Sequence, residues 1–235
     1  MKQEEGTLKV IEIYESVQGE GPNTGRPTLF VRFAGCNMRC PGWPCDTEYA
    51  VDPALWHKAY TSWTVANLAA KINEEHSNMH NVCFTGGEPF MQKELPALIN
   101  RIRFSSNIEV FSNGSFPMER IFLRPAGPSN IMMDWKLTGS GEATTAVPTR
   151  TKNALDLLTS DGIKFVVKDM DDLREAKRIS AELKALGVKA QFWVGAAWGT
   201  ISNQEIVDFV LKSNLNWNLN IQIHKYIWEP TTRGI

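Results

Sequence analysis

Apolar and polar positions alternate in part along Leu8-Lys9-Val10-Ile11-Glu12-Ile13-Tyr14, which predicts a first strand. Glu15 to Pro27 carries Gly19, Gly21, Pro22 and Gly25 and reads as a loop. Thr28-Leu29-Phe30-Val31-Arg32-Phe33 is β-branched and aromatic, the mark of a buried strand. Thr64 is placed to cap a helix through about Glu75, because Val65, Leu68, Ala69 and Ile72 fall on one face. His80 to Phe84 predicts a strand, and Leu95 to Ile102 a helix with Pro96 in its first turn, where proline is tolerated.

The same alternation continues. Ile108 to Phe111 is a strand ending at the turn signal Ser112-Asn113-Gly114, and Ile131 to Trp135 is another. A helix is expected over Asn153 to Leu158 and a strand over Ile163 to Val167. Asp171 or Asp172 opens a helix that runs to Leu186 and stops at Gly187. Lys189 to Val194 is a strand, Ser202 caps a helix to Leu211, and Leu219 to Ile223 is the last strand. Strands alternating with helices predict an α/β fold with a parallel sheet and right-handed crossovers. Six or so βα units are fewer than a closed eightfold barrel has, and no linker divides residues 1–235, so one domain is expected.

Composition narrows the classes. A net charge of −1 offers no basic field for nucleic acid. Hydrophobic content of 43% and charged content of 22% are ordinary for a soluble globular chain. Met1-Lys2-Gln3-Glu4-Glu5-Gly6 is charged and followed by no long apolar run, so neither a signal peptide nor a membrane span is expected. Four cysteines, three of them clustered, fit a metal site in a reducing compartment better than a disulfide framework.

The clustered cysteines are Cys36, Cys40 and Cys45, at spacing C-x3-C-x4-C in a loop with Pro41, Gly42 and Pro44. Thiols on one loop are able to converge on a point. Iron–sulfur clusters are usually held by four thiolates, so three would leave one iron open to a substrate or cofactor. Structural zinc wants four ligands, and the nearest further candidates, His57 and Cys83, are well separated. Spacing alone therefore leaves a cluster, zinc and unliganded thiols open, with Cys83 read as a buried small hydrophobe. Val82-Cys83-Phe84-Thr85-Gly86-Gly87-Glu88-Pro89 adds a strand end running into a Gly-Gly turn, where a ligand is able to approach the backbone closely. All these stretches sit at carboxyl ends of predicted strands, the ligand-binding edge of such sheets.

Together the two stretches resemble the radical S-adenosylmethionine (SAM) superfamily, whose usual cysteine spacing, C-x3-C-x2-C, is two residues shorter between the last two. Ser16-Val17-Gln18-Gly19-Glu20-Gly21, Cys45-Asp46-Thr47 and Gln222-Ile223-His224-Lys225 narrow the resemblance to the 7-carboxy-7-deazaguanine synthase family. The resemblance implies a partial (β/α)6-type radical SAM barrel with an added N-terminal strand. It also implies conversion of 6-carboxy-5,6,7,8-tetrahydropterin to 7-carboxy-7-deazaguanine with loss of ammonia. In the family a reduced 4Fe–4S cluster cleaves SAM, and the resulting radical takes and later returns a hydrogen.

Residue roles carry over as expectations. Cys36, Cys40 and Cys45 match the cluster ligands. Pro44, Cys45, Asp46, Gly86, Gly87, Glu88, Ser112 and Lys136 match SAM contacts, although the family's usual Ser-Pro-Lys is Asp134-Trp135-Lys136 here. Val17, Gln18, Gly19, Arg32, Thr85 and His224 match substrate contacts, with Arg32 facing the substrate carboxylate. Thr47 matches a magnesium ligand. The family further implies a reducing electron donor such as a flavodoxin, a homodimer and a cytoplasmic enzyme. The competing readings are a glycyl-radical-enzyme activase, which would lack the Gln-Gly-Glu-Gly loop, Thr47 and His224, and a non-catalytic zinc module.

Replacing Cys36, Cys40 or Cys45 with Ala should remove most iron and all SAM cleavage, read by iron analysis and 5′-deoxyadenosine release. Cys83→Ala should leave both intact. A cluster lost in Cys83→Ala but kept in Cys45→Ala would reverse the ligand assignment.

Overall fold

The computed structural model describes residues 6–43, 45–102, 106–118 and 130–234. Its strands are β1 (Thr7–Val17), β2 (Pro27–Phe33), β3 (Thr61–Thr64), β4 (Asn81–Gly86), β5 (Asn107–Ser112), β6 (Asn130–Asp134), β7 (Gly162–Val167), β8 (Gln191–Ala196) and β9 (Trp217–Leu219). Its helices are α1 (Glu48–Val51), α2 (Pro53–Trp56), α3 (Val65–Ala70), α4 (Leu95–Arg101), α5 (Val147–Asp156), α6 (Met170–Ala185), α7 (Asn203–Lys212) and α8 (His224–Ile227).

Among the described residues the strands form one sheet in the order β3-β1-β2-β4-β5-β6-β7-β8-β9. β1 pairs antiparallel with β2 and with β3. From β2 onward every pairing is parallel. Six crossovers thus join seven parallel strands, all stepping the same way along the order. This is the expected partial (β/α)6-type barrel with β1 as an added N-terminal strand. The central strands are apolar on both faces, as parallel strands covered by helices must be. Val82, Cys83 and Phe84 on β4 and Ile131, Met132 and Met133 on β6 are at most 1% exposed.

One register fixes the site. β2 and β4 pair with Arg32 opposite Thr85 and Phe33 opposite Gly86. The cysteine loop leaving β2 and the Gly-Gly turn leaving β4 therefore start side by side. Gly86 has φ +145°, and a Cβ there would lie 2.3 Å from the Phe33 carbonyl oxygen. Without that Cβ the turn closes onto the end of β2: Gly87 N–H donates to the Phe33 carbonyl (3.1 Å) and Glu88 N–H to the Gly35 carbonyl (2.8 Å).

Several elements depart from the sequence pattern for identifiable reasons. β1 continues to Val17, because pairing with β2 extends to Val17 opposite Pro27. β3, α1 and α2 are four residues each, too short to show a period. Thr64 both ends β3 and caps α3, accepting from Asn67 N–H at 3.2 Å. The helix then widens into a π turn over Lys71–Glu75. α5 begins at Val147, not Asn153. Asp169, not Asp171 or Asp172, caps α6, accepting from both their amides, while Asp172 turns back to Gly139 N–H and Lys168 N–H. β9 ends at Leu219, so Ile221 to Ile223 are not strand. Asn220 instead uses its side chain on the loop after β1: its Oδ1 accepts from Gly21 N–H and its Nδ2 donates to Glu20.

The expected cap of α7 is present as a reciprocal pair. Ser202 Oγ accepts from Glu205 N–H at 3.2 Å, and Glu205 Oε2 accepts from Ser202 N–H at 3.0 Å. Ser202→Ala should lower unfolding free energy by about 0.5–2 kcal/mol in a denaturant titration and leave SAM affinity unchanged. No change in stability would mean the cap is redundant.

Candidate functional site

The carboxyl edge of the sheet opens into a cavity of ≈ 730 Å³. Its walls contain Val17, Gln18, Gly19, Arg32, Cys36, Cys40, Cys45, Asp46, Thr47, Thr85, Gly86, Gly87, Ser112, Lys136 and His224. Pro44 lies outside the described residues. Glu88 is the expected residue that stands behind the wall rather than in it, at 0% exposure.

The cysteine loop is held by backbone contacts on both sides. Gly35 N–H donates to the Ala50 carbonyl, and Gly42 N–H to the Ser140 carbonyl. Arg39 N–H donates to Glu142 Oε1 at 2.8 Å. Cys40 takes the left-handed conformation, φ +47°. Cys36 Sγ receives Met38 N–H at 3.4 Å and Asn113 Nδ2 at 3.6 Å. The three thiols are unpaired and half-buried. Burial pushes Cys36 up to about 11 and raises Cys40, with Met38 N–H opposing at the first and Lys136 at the second. Among the described residues no three His, Cys, Asp or Glu side chains gather at the spacing of a single ion. The thiols do not meet at a point but line a cavity, and each iron of a cluster takes its own thiolate. Asp134 Oδ1 is a buried oxygen without a partner in the same structure, beside the wall residue Lys136. The donor set and its spread fit a multi-iron cluster with an adjoining polar ligand.

Glu88 braces the next wall. Its carboxylate accepts from Ser112 Oγ (2.8 Å), Asn113 N–H (2.6 Å) and Phe90 N–H (3.0 Å). Burial still pushes its pKa up to about 7. Lys136 Nζ donates to Asp134 Oδ2 at 2.7 Å. Burial opposes its charge, but Asp134 and the nearby thiols outweigh that and raise its pKa.

On the opposite side, side chains expected to face a substrate are partly committed to the protein. Arg32 Nε donates to Glu12 Oε1 at 2.6 Å and its Nη2 to the Tyr14 hydroxyl at 2.8 Å, so part of the fork is structural. Gln18 Nε2 donates to the buried Glu109 at 2.7 Å. Gly19 carries no side chain because the His224 ring fills that space; a Cβ would lie 1.9 Å from its Nδ1. Burial lowers the His224 pKa. Thr47 precedes α1 but makes no side-chain capping bond; its hydroxyl lies 3.5 Å from Cys45 Sγ.

Comparison with known proteins places this geometry. A family model described as a 4Fe-4S single cluster domain matches residues 17–120. A 7-carboxy-7-deazaguanine synthase of Clostridium acetobutylicum is 36% identical, over 97% of this chain and 99% of the relative. One from Methanospirillum hungatei is 33% identical over 95% of this chain and 86% of the relative. This chain belongs to the 7-carboxy-7-deazaguanine synthase family. The fold agrees: the crystal structure of QueE from Escherichia coli matches with TM-score 0.69 at 18% identity, covering 92% of this chain and 94% of that one. Streptococcus suis SuiB, solved bound to S-adenosylmethionine, shares the fold at TM-score 0.51 and 12% identity, over 81% of this chain and 48% of that one. The chain is a radical SAM enzyme of 7-deazapurine biosynthesis, with an iron–sulfur cluster and SAM as cofactors.

In this family member the sequence reading missed a largely buried ion pair on the cavity wall. Glu20 accepts from Lys164 Nζ (2.9 Å), Gln222 Nε2 (2.6 Å) and Asn220 Nδ2 (3.1 Å). Burial alone would raise Glu20; the Lys164 ammonium and these hydrogen bonds outweigh it and lower the pKa to about 2. Lys164 lies mid-strand on β7, with no motif to mark it. Asn113 was visible only as a turn residue, although its side chain touches Cys36.

The Glu20–Lys164 pair predicts an acid-limb effect. The Glu20 pKa falls from 4.5 in the open chain to about 2, so its contribution is present above pH 4.5 and lost as pH drops toward 2. Glu20→Gln should flatten stability over that window in pH-dependent unfolding. Lys164→Met should cost roughly 3–5 kcal/mol near neutrality, by leaving a buried carboxylate alone, and adding Glu20→Gln should recover most of it. A double variant no better than Lys164→Met would remove the pair from the account.

Proposed function

We propose that this chain converts 6-carboxy-5,6,7,8-tetrahydropterin to 7-carboxy-7-deazaguanine with loss of ammonia. The observation that carries this reading is one cavity lined by a three-thiol loop, a Gly-Gly turn, the Val17–Gly19 loop and His224, the first two brought side by side by the Phe33–Gly86 register. Bound there, the cluster and SAM supply hydrogen-atom abstraction and return.

The chain's own residues position and enclose the reactants. Cys36, Cys40 and Cys45 would hold three irons of the cluster. Asp46 would flank the adenosyl part of SAM, and Ser112 and Lys136 would complete its contacts. Gly86 and Gly87 would present backbone to the SAM ammonium, with Glu88 behind them as countercharge. Support for Glu88 is its place directly behind that turn at 0% exposure. Val17, Gln18 and Gly19 meet the pterin edge through a loop whose side chain at position 18 is anchored inward. Arg32 and Thr85, paired across β2 and β4, and His224 hold the far side. Arg32 keeps its charge in any accessible pH range, so it is a lasting partner for a carboxylate. Phe30, Phe111 and Met132 in the walls exclude water.

Thr47 is proposed as a magnesium ligand. Support comes from a hydroxyl that makes no capping bond and stands beside Cys45 at the cavity wall. Magnesium takes hard oxygens and keeps waters or substrate groups as well, so one protein hydroxyl is chemically adequate. The reading extends to one radical SAM domain over residues 1–235, a flavodoxin-like reductant, a homodimer and a cytoplasmic setting. No helix among the described residues is long and apolar enough to cross a membrane.

Anaerobic protein with a reconstituted cluster, SAM, reductant and the carboxylated tetrahydropterin should yield 7-carboxy-7-deazaguanine by mass spectrometry. SAM cleavage with no deazapurine would overturn the substrate. Added magnesium should stimulate the wild type. Thr47→Ala should lose most of that response while binding SAM normally, and Thr47→Ser should retain more. Equal stimulation in wild type and Thr47→Ala would leave Thr47 only a loop residue.

A further inference from the structure

Lys225 is the half of the His-Lys pair that the reaction leaves without a role. It is a lysine at 8% exposure, far below what a solvated ammonium adopts. Its Nζ donates to Asp46 Oδ2 at 3.0 Å, across 179 positions of sequence. The Trp198 ring packs against the same ammonium, 5.1 Å from its centroid. Asp46 directly follows Cys45 and precedes Thr47 at the start of α1.

The segment that carries Lys225 also grips the other side of the cavity. Ile223 N–H donates to the Gly19 carbonyl at 3.1 Å. Gln222 reaches Glu20 at 2.6 Å, and the His224 ring occupies the space beside Gly19. Four successive residues therefore touch the Val17–Gly19 loop and its neighbour through Gln222, Ile223 and His224, and the exit of the cysteine loop through Lys225.

We propose that Lys225 is a positioning residue, resting on the reaction given above: through Asp46 it sets the spacing between the cluster-and-SAM side of the cavity and the substrate side. Hydrogen transfer between two bound partners is sensitive to such spacing, since a displacement of about 1 Å costs on the order of 10²-fold. Binding of each partner alone is not. Removing Lys225 therefore lets SAM bind and be cleaved while fewer cleavages end in product.

Lys225→Met is a fair variant because it keeps the buried stem, and Asp46, 55% exposed at its side chain, is left to water. In the reconstituted holoenzyme, iron content and SAM affinity should stay within twofold of wild type. Product formed per 5′-deoxyadenosine released should fall by on the order of tenfold or more. Lys225→Arg, which is able to reach Asp46, should recover part of it. Asp46→Asn should lower the same ratio, and the double variant Asp46→Asn/Lys225→Met should be no worse than the poorer single one. In the cluster-free protein, amide hydrogen exchange over residues 45–51 should quicken in Lys225→Met, independent of any substrate. An unchanged product ratio with unchanged exchange, or losses that multiply in the double variant, would overturn the role. Should Lys225→Met not fold, the Lys225→Gln ratio and its exchange profile decide in the same sense. Wild type that makes no deazapurine would sink the reaction but leave the exchange arm to judge the Lys225–Asp46 tie.

Discussion

The missing side chain at Gly86 is the constraint on which the site depends. With φ +145° and the Phe33 carbonyl in the space of a Cβ, no other residue lets the turn after β4 lie on the end of β2. Two amide bonds then clamp Gly87 and Glu88 to Phe33 and Gly35. From that clamp follow the start of the cysteine loop, the burial of Glu88 behind it, and the placing of Ser112 and Asn113 by the Glu88 carboxylate. Asn113 in turn reaches Cys36, so one glycine communicates with a thiol through a buried carboxylate and an amide.

Three largely buried ion pairs stand in or against the cavity walls. Glu20 with Lys164, Asp134 with Lys136 and Glu12 with Arg32 are all ion pairs whose side chains are at most 20% exposed. Such pairs rarely add net stability, since desolvation offsets attraction. Their value here lies in fixed dipoles and charges that need no reorganisation when polar ligands arrive. The same commitment explains why Arg32 and Gln18 are only partly available to a substrate: each spends hydrogen bonds on holding its own place.

Much of this was legible in the residues. The long strands and helices follow from period and from caps such as Ser202, and the site loops from cysteine spacing and the Gly-Gly turn. What escaped has a common cause, namely that tertiary partners decided it. β9 gave way after Leu219 because Asn220 serves the loop at Gly21, and Asp172 left the cap of α6 to Asp169 because Gly139 claimed its side chain. Lys164 and Glu20 are separated by 144 positions, so no local pattern could pair them. The inward turn of Glu88 was hidden for the same reason, two of its three donors lying on the following strand end.

The two ends of the chain close the substrate side of the cavity. Glu20 meets Gln222 across 202 positions, and Gly21 meets Asn220 across 199. Contacts of such separation carry the largest loop-closure entropy in the molecule and reward the chain only after the intervening strands are in place. The thiol loop and its Gly-Gly neighbour, by contrast, are joined through β2 and β4 alone, within the first half of the sheet. The two halves of the cavity therefore differ in what they demand of the chain: the thiol side is a local agreement between neighbouring strands, and the substrate side holds only while the first and last strands are both in place.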